Sequence, residues 1–273
     1  MSPHIRQPAV AGSFYPSDPS VLTSMLEELF TTASAAGRSE ADSTNTKTLK
    51  AIIAPHAGYI YSGPIAANAY QCLHKAHDQY DRVLLLGPSH RVAVSGLALS
   101  SAQTYLTPLG AIALDLEAIA SLQKFNFIEV NDEAHREEHS LEVHLPFLQS
   151  TLDHFTLIPI VVGDISPEKL APILDLFMDD KRTLIVISTD LSHFHDYATA
   201  QHRDQTTSDA ILDYRYKDIG YGDACGRNPV NAALYWARQH NFSIKLLDLR
   251  NSGDTAGDRS RVVGYAAYHI YNS

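Results

Sequence analysis

The sequence predicts an α/β fold, a three-layer α/β/α sandwich around a mostly parallel mixed sheet. Short apolar runs alternate with segments of helical periodicity over nearly the whole 273-residue chain, as in folds whose parallel strands are joined by helices. Near the carboxyl end, segments 243–249 and 261–270 flank a turn, which adds an antiparallel portion. We expect one domain over 1–273, with 31–48 as a mobile surface loop because that segment lacks hydrophobic periodicity.

Strands are predicted where short apolar runs, rich in β-branched residues, are bounded by turn residues. They cover residues 50–54, 82–86, 94–100, 110–115, 127–130, 155–162, 183–188, 243–249 and 261–270. Helices are predicted where apolar residues recur every three or four positions, or where a capping residue precedes a proline. They cover residues 19–30, 63–73, 116–124, 167–178 and 198–216, and two further helices begin near 141 and 229.

Three of the predicted strands run into a turn and then a histidine. These histidines are His56, His90 and His193. A single histidine is more often a surface or core residue than a ligand, but these three positions converge at one edge of a parallel sheet, where open α/β sheets bind their ligands. Neutral imidazoles gathered with a thiolate or carboxylate suit a transition metal. The pattern therefore predicts that at least two of these histidines bind a metal.

Cys225 lies just before a predicted helix, with Arg227 beside it. A helix amino terminus and a neighbouring cation both favour the thiolate, the form of cysteine that binds metals. A buried loop cysteine fits the local sequence equally well, so both interpretations stay open.

The run from Glu138 to His144 contains two histidines and two glutamates. Its order differs from the His-Glu-x-x-His motif of metalloproteases, because His139 is followed by Glu142 three residues later and by His144 five residues later. We interpret the run as supporting residues around a metal or as an acid–base reserve. A solvated helix start is an equally good interpretation.

Residues beside the strand-end histidines are candidates for a substrate pocket. Tyr59, Ser89 and Arg91 flank the predicted site and, with Glu142 and His144, are expected to line that pocket. Aromatic residues in such loops often serve packing alone. Two serines near the histidines also raise the possibility of a serine hydrolase, but neither lies in a Gly-x-Ser-x-Gly motif.

The composition excludes several classes of protein. Lys and Arg number 21 against 31 Asp and Glu, and the formal charge of −10 argues against nucleic-acid binding. Two cysteines cannot form a disulfide framework, residues 1–6 lack the apolar core of a secretory signal, and no run reaches transmembrane length. We therefore expect a cytoplasmic protein without a nucleic-acid or membrane partner.

At these motifs the chain resembles the Memo family, whose microbial members are called protein B of the AmmeMemoRadiSam system. The matching segments are Pro55-His56-Ala57-Gly58-Tyr59, Gly87-Pro88-Ser89-His90, Glu138-His139-Ser140-Leu141-Glu142-Val143-His144-Leu145-Pro146, Ser188-Thr189-Asp190-Leu191-Ser192-His193 and Cys225-Gly226-Arg227-Asn228-Pro229. They span most of the chain in order. Together they are highly specific, whereas each alone is a weak signal.

The resemblance implies a fold similar to that of class III extradiol dioxygenases, enzymes that open catechol rings with non-heme iron. By position, His56 and His90 are similar to the paired imidazole ligands, and Cys225 takes the place of a third ligand that is glutamate in those enzymes. His193 is similar to their acid–base histidine, and we expect His139 and Asp190 to act beside it as catalytic residues. A thiolate in place of a carboxylate favours iron or copper over a hard cation.

Three functions remain open. The first is a redox enzyme of the dioxygenase type that uses Fe(II), with copper or zinc as alternative metals. The second is a non-catalytic protein that binds a metal or a peptide on a dioxygenase-like scaffold. The third is a zinc hydrolase with His193 or Glu142 as the base. The expected partner is an unknown small molecule or peptide, and the resemblance also implies a radical-SAM protein and a companion AMMECR-like protein.

Overall fold

A large mixed sheet forms the middle layer of the structure, a computed structural model that describes residues 4–35 and 48–272. Within those residues, nine strands build this sheet and three short strands build a second, smaller one. In chain order the strands are β1 (Ile5–Arg6), β2 (Leu49–Ala54), β3 (Arg82–Pro88), β4 (Leu97–Leu99), β5 (Thr104–Thr107), β6 (Gly110–Ala113), β7 (Ile128–Val130), β8 (Thr156–Val162), β9 (Thr183–Ser188), β10 (His193–His195), β11 (Ser243–Asn251) and β12 (Val262–Tyr271).

The central strands of the large sheet are parallel, and the strand next to them on each side is antiparallel. Its order is β10-β12-β2-β9-β3-β8-β4-β7, and β11 also pairs with β12. The four central strands β2, β9, β3 and β8 are parallel neighbours, whereas β12 is antiparallel to β2 and β4 is antiparallel to β8. The central strands are buried along almost their whole length and rich in Val, Ile and Leu, as expected for a sheet covered on both faces.

Helices cover both faces of this sheet. In chain order they are α1 (Pro19–Ala35), α2 (Tyr59–Tyr70), α3 (Leu116–Leu122), α4 (Asp132–Arg136), α5 (His139–Glu142), α6 (Leu145–Thr151), α7 (Pro167–Met178), α8 (Tyr197–Leu212) and α9 (Arg227–Gln239). The connection from β2 through α2 to β3 and the connection from β8 through α7 to β9 run in opposite directions along the sheet. Right-handed crossovers therefore put α2 and α7 on opposite faces, where α2 packs with α1 and α6, and α7 packs with α9. This arrangement confirms the predicted α/β/α fold.

None of the helices within residues 4–35 and 48–272 combines the length and the apolar character needed to cross a lipid bilayer.

Helix α1 is longer than the sequence pattern predicts. It continues to Ala35, so residues 31–35, which were expected in a mobile loop, are helical. Ala33 is buried against the core and extends the apolar face of the helix by one more turn. The remainder of that predicted loop, 36–47, lies outside the described residues.

Helix α2 begins earlier than the Gly-Pro pair predicts. The carbonyl oxygen of Gly58 accepts hydrogen bonds from the backbone N–H groups of Tyr61 and Ser62, which starts the helix before Pro64. The proline then lies inside the helix, where it cannot donate to the preceding turn. The prediction that Pro64 occupies the first turn is therefore wrong.

A buried glutamate ties the amino-terminal segment to the rest of the fold. Glu142, at the end of α5, is fully buried, and its carboxylate accepts hydrogen bonds of 2.5–3.0 Å from Arg6 Nη1, the Ala9 and Val10 backbone N–H groups and the Tyr15 hydroxyl. The buried Arg6 guanidinium also donates to two backbone carbonyl oxygens next to α4 and α5. Because each charge is paired and hydrogen-bonded, this cluster fixes the position of the segment.

Replacing Glu142 by alanine is expected to lower the free energy of unfolding by about 3–5 kcal/mol, because the Arg6 guanidinium would remain buried without its partner. Urea unfolding followed by circular dichroism measures this change. Glu133→Ala is the matched control, since Glu133 pairs with Arg136 at the surface, where more than half of each side chain is exposed. The control should cost less than about 1 kcal/mol, and equal losses in the two variants would contradict the anchoring role of Glu142.

Candidate metal centre

The strand order brings two of the predicted histidines to neighbouring positions. Strands β2 and β3 lie on either side of β9, and all three run in the same direction. His56 lies two residues beyond the end of β2, and His90 lies two residues beyond the end of β3. Both therefore stand at the carboxyl edge of the sheet, where parallel sheets present their ligand-binding loops.

His139 joins these two histidines in one cluster. The ligand nitrogens of His56, His90 and His139 all lie within 4.8 Å of one another. The ring centroids are 5.1 Å apart for His56 and His90, 5.4 Å for His56 and His139, and 4.5 Å for His90 and His139. His139 is the first residue of α5, which packs against β3. Three imidazoles at these distances can hold one metal ion.

Hydrogen bonding fixes which ring nitrogen of His56 carries the proton. The Ser188 hydroxyl donates to the carbonyl oxygen of Ser140 at 2.6 Å, so its oxygen accepts from His56 Nδ1–H, also at 2.6 Å. We assign the ring proton to Nδ1 on this basis, which puts the lone pair on Nε2. Burial, followed by the nearby His90, lowers the pKa of His56, so the ring is neutral at physiological pH. His56 is thus held in a form that can ligate a metal.

Glu138 positions His90 in the same way. Its carboxylate accepts from the His90 backbone N–H at 2.6 Å and from His90 Nδ1–H at 2.8 Å, and it caps α5 through the Ser140 N–H at 2.9 Å. Burial alone would raise the pKa of Glu138, but the bonds from His90 and Ser140 outweigh it and hold this pKa at about 2. The proton on Nδ1 leaves Nε2 of His90 free for a ligand bond.

Cys225 contacts His56 but lies outside the three-histidine cluster. Its Sγ is 3.3 Å from His56 Nε2 and accepts a hydrogen bond of 3.2 Å from the Asp190 backbone N–H. Burial, followed by the Asp190 carboxyl, raises the pKa of the Cys225 thiol. The Arg227 guanidinium lies over the Tyr221 ring, 3.4 Å from its centroid. Of the two interpretations of Cys225, burial in the absence of a metal favours the protonated thiol, and a metal would have to displace its proton.

Asp190 and His193 stand on the open side of the cluster. Asp190 Oδ1 accepts from the His56 backbone N–H at 2.8 Å, and Oδ2 lies 3.9 Å from His56 Nε2. Burial raises the pKa of Asp190 to about 7, so this carboxyl exchanges a proton near neutral pH. Burial lowers the pKa of His193, which begins β10, and the ring is neutral at the same pH. Both groups have the properties of proton donors or acceptors.

A cleft of about 440 Å³ lies above these residues, a volume typical of small-molecule sites. His139, Asp190 and His193 form part of its wall. The amino-terminal segment contributes Phe14, and the connection from β11 into β12 contributes Arg261. A molecule in this cleft would therefore meet one cluster histidine and both proton-exchanging groups.

The predicted pocket residues Tyr59, Ser89, Arg91, Glu142 and His144 do not lie in the wall of this cleft. The Tyr59 ring is buried and its hydroxyl donates to a backbone carbonyl at 2.7 Å. The Ser89 hydroxyl donates to a carbonyl oxygen of its own loop, and Arg91 is exposed. Both carboxylate oxygens of Glu142 accept hydrogen bonds from the amino-terminal segment. These residues are close to the histidines in sequence, but their side chains make other contacts or are exposed outside the cleft.

Comparison with known proteins supports the motif assignment, because the family model described as Memo-like protein matches residues 6–269. The chain belongs to the Memo family. A MEMO1 family protein of Archaeoglobus fulgidus is 35% identical over 274 residues, which cover 96% of this chain and 98% of the relative. MEMO1 family proteins of Methanopyrus kandleri and Metallosphaera sedula are 34% and 33% identical over 96% of this chain, covering 97% and 98% of their own lengths.

In this Memo family chain, the sequence predicts a catalytic role for His139 and includes Glu138 only in a run interpreted as supporting residues or as an acid–base reserve. The structure brings His139 into the histidine cluster and joins Glu138 to His90 across 48 residues of sequence. The sequence does offer one signal for both roles, because Glu138 and His139 are adjacent and come just before a predicted helix start. No local pattern indicates that this pair contacts the end of β3.

His144 makes the stability of the protein depend on pH. The side chain is buried, Nδ1 lies 2.8 Å from the Tyr70 hydroxyl, and Nε2 has no hydrogen-bond partner among the described residues. Burial lowers the pKa of His144 from 6.5 to about 3. Between these two values the unfolded chain binds a proton that the folded protein does not, so stability falls as the pH drops below 6.5.

We expect the His144→Gln variant to lose less stability than the wild type on acidification, because glutamine does not titrate but can still hydrogen-bond to Tyr70. Urea unfolding at about pH 7 and about pH 4.5 measures the two free energies for each protein. The difference between the two pH values should be smaller in the variant. An unchanged difference would contradict the assignment of this pH dependence to His144.

Proposed function

We propose that this Memo family protein binds a transition metal through His56 and His90, with His139 or Cys225 as the third ligand, and uses it in redox chemistry on a small molecule. Fe(II) is the proposed metal, with copper as an alternative. The observation that supports the proposal is the convergence of three imidazoles, two of which are oriented by Ser188 and Glu138 so that the lone pair lies on Nε2. Such supporting bonds to the second ring nitrogen are typical of metal-ligating histidines.

The two possible third ligands have different support. His139 belongs to the group whose donor atoms lie within 4.8 Å of one another. Cys225 is favoured by the family resemblance, and its Sγ is 3.3 Å from His56 Nε2. A thiolate would supply a softer, more electron-donating ligand than imidazole and would favour iron or copper. The two assignments are separated by the variants below.

The residues around the cluster define what the protein itself contributes to a reaction. When bound, a redox-active metal with open ligand positions supplies one-electron chemistry and a binding position for the substrate. Asp190, whose pKa is raised to about 7 by burial, can release or accept a proton from its carboxyl at neutral pH. His193, held neutral by burial in the cleft wall, can accept a proton on its ring.

A zinc hydrolase is the second candidate function, because three histidines are also a donor set of catalytic zinc sites. Glu142 cannot be its base, since Arg6 and Tyr15 occupy the carboxylate and the side chain is fully buried. His193 and Asp190 are the available bases in the cleft wall. Zinc as the metal retained on purification, without iron or copper, would favour this function.

The metal content of untagged protein tests the proposal. We expect about one equivalent of iron or copper per chain in the wild type and its loss in His56→Ala, because His56 belongs to both ligand sets. His139→Gln and Cys225→Ser then identify the third ligand, since only the variant that removes it should lose most of the metal. Circular dichroism confirms folding. Equal, negligible metal in all proteins after anaerobic loading with Fe(II) and, separately, with copper would overturn the proposal.

Glu138→Gln tests the supporting carboxylate. Glutamine keeps the size of the side chain but removes the charge that orients the His90 ring, so we expect metal affinity to fall by about 10- to 100-fold. Competition with a chromogenic chelator measures this affinity. Glu137→Gln is the matched control, because its carboxylate is mostly exposed and lies 3.8 Å from Arg136 at the surface. A similar loss in both variants would show that Glu138 has no specific role.

A further inference from the structure

The cleft above the histidine cluster combines aromatic walls with one arginine. Phe14, Tyr61 and Tyr265 line it together with Arg261. Flat, apolar walls suit a planar molecule, and an arginine at such a site commonly fixes a charged group of the ligand. The lining therefore gives information on the class of molecule that the cleft accepts.

Arg261 has no carboxylate partner within the described part of the chain. By contrast, Arg6, Arg82, Arg203 and Arg250 each pair with an aspartate or glutamate at 2.5–2.9 Å. The Arg261 guanidinium instead lies over the ring of Phe194, 5.0 Å from its centroid. Its hydrogen-bond donors are thus not taken by a protein carboxylate, while the contact with the ring restricts its position.

The backbone at Phe194 has an unusual conformation. The pairing of β10 with β12 is irregular between His193 and His195, so Phe194 is the extra residue of a β-bulge. Its φ of 62° lies in the left-handed region, which is unusual for an aromatic residue, and the residue is 62% exposed. Bulges and strained residues are concentrated at functional sites, where they direct side chains. The bulge at Phe194 directs His193 into the cleft wall and places the next side chain, the Phe194 ring, under Arg261.

We propose that the cleft binds a small organic acid whose carboxylate pairs with Arg261 and whose planar body lies against the aromatic wall. The inference rests on the proposed function in taking this cleft as the substrate site. The planar fork of an arginine matches a carboxylate through two parallel hydrogen bonds.

The other charges in the cleft favour a carboxylate over a phosphate. Asp258 lines the same cleft as Arg261 and is ionised at neutral pH, because hydrogen bonds from Ser260 lower its pKa. A phosphate group carries nearly two negative charges at neutral pH and would be repelled by this aspartate more strongly than a singly charged carboxylate. A single arginine therefore suits a singly charged acid.

Fluorine NMR titrations with two probes of the same shape test the proposal on the full chain. 4-Fluorobenzoate carries the carboxylate, and 4-fluorobenzamide is its neutral counterpart. We expect the benzoate to bind the wild type about tenfold more tightly than the benzamide, which corresponds to one charge-assisted contact. Undetectable benzoate binding, equal binding of both probes, or tighter binding of 4-fluorophenyl phosphate would overturn the carboxylate assignment.

Arg261→Gln should weaken benzoate binding about tenfold and leave benzamide binding unchanged. Arg261→Lys keeps the charge without the planar fork and should give an intermediate loss. Arg259→Gln is the matched control, because Arg259 lies over the ring of Tyr197 and is not part of the cleft wall. A loss for both probes in Arg261→Gln, or an equal loss in Arg259→Gln, would contradict the role of Arg261.

Metal content measured on the same samples separates this inference from the proposed function. Arg261 is not among the proposed ligands, so Arg261→Gln should retain the metal of the wild type. Weaker benzoate binding with unchanged metal supports the inference. A wild type that binds benzoate but no metal would overturn the proposed function alone, and one that binds metal but not benzoate would overturn the inference alone.

Discussion

The geometry of the candidate centre depends on the carboxylate of Glu138. Three N–H groups from the end of β3 and the start of α5 converge on it, from the backbone and ring of His90 and from the backbone of Ser140. A buried carboxylate is stable only when such donors replace its water, so neither segment can move without leaving a charge unsatisfied. His139, next in sequence to Glu138, is carried into the cluster by the same constraint. One charge therefore sets the relative positions of two candidate ligands.

Burial keeps the histidines of this region neutral. It is the largest cause of the lowered pKa values of His56, His139 and His193, and the pKa of His139 falls to about 4. Charged imidazoles at His56 and His139, whose ring centroids are 5.4 Å apart, would repel strongly, whereas neutral rings can lie side by side and present lone pairs to one cation. The same burial makes the folded protein sensitive to acid, because the unfolded chain can protonate these rings. Burial of these histidines thus explains both why the cluster could hold a metal ion and why the folded protein is sensitive to acid.

Features that depend on a short stretch of chain could be predicted from the sequence, whereas contacts between distant segments could not. The apolar runs before His56 and His90, and the turns that follow, indicate two parallel strands and their shared edge. No local pattern reveals that β9 lies between β2 and β3, although this order brings Ser188 and Asp190 to His56. Local sequence also left a thiolate and a buried thiol equally open at Cys225, whereas burial, a tertiary property, favours the thiol. The bulge at Phe194 is likewise visible only once β10 is paired with β12.

Helix α5 connects the stability of the amino-terminal segment to the shape of the site. Glu138 precedes this single turn of helix and Glu142 ends it, so the two carboxylates lie on either side of His139 in sequence. Glu142 holds the segment that carries Phe14, whose ring lies 4.9 Å from that of His139 and whose carbonyl oxygen accepts the Tyr59 N–H at 2.8 Å. Glu138 orients the His90 ring in the candidate centre, while Glu142 fixes the wall that covers His139 on the cleft side. Because both act through one turn of helix, a displacement of the amino-terminal segment must also change the surroundings of a candidate ligand.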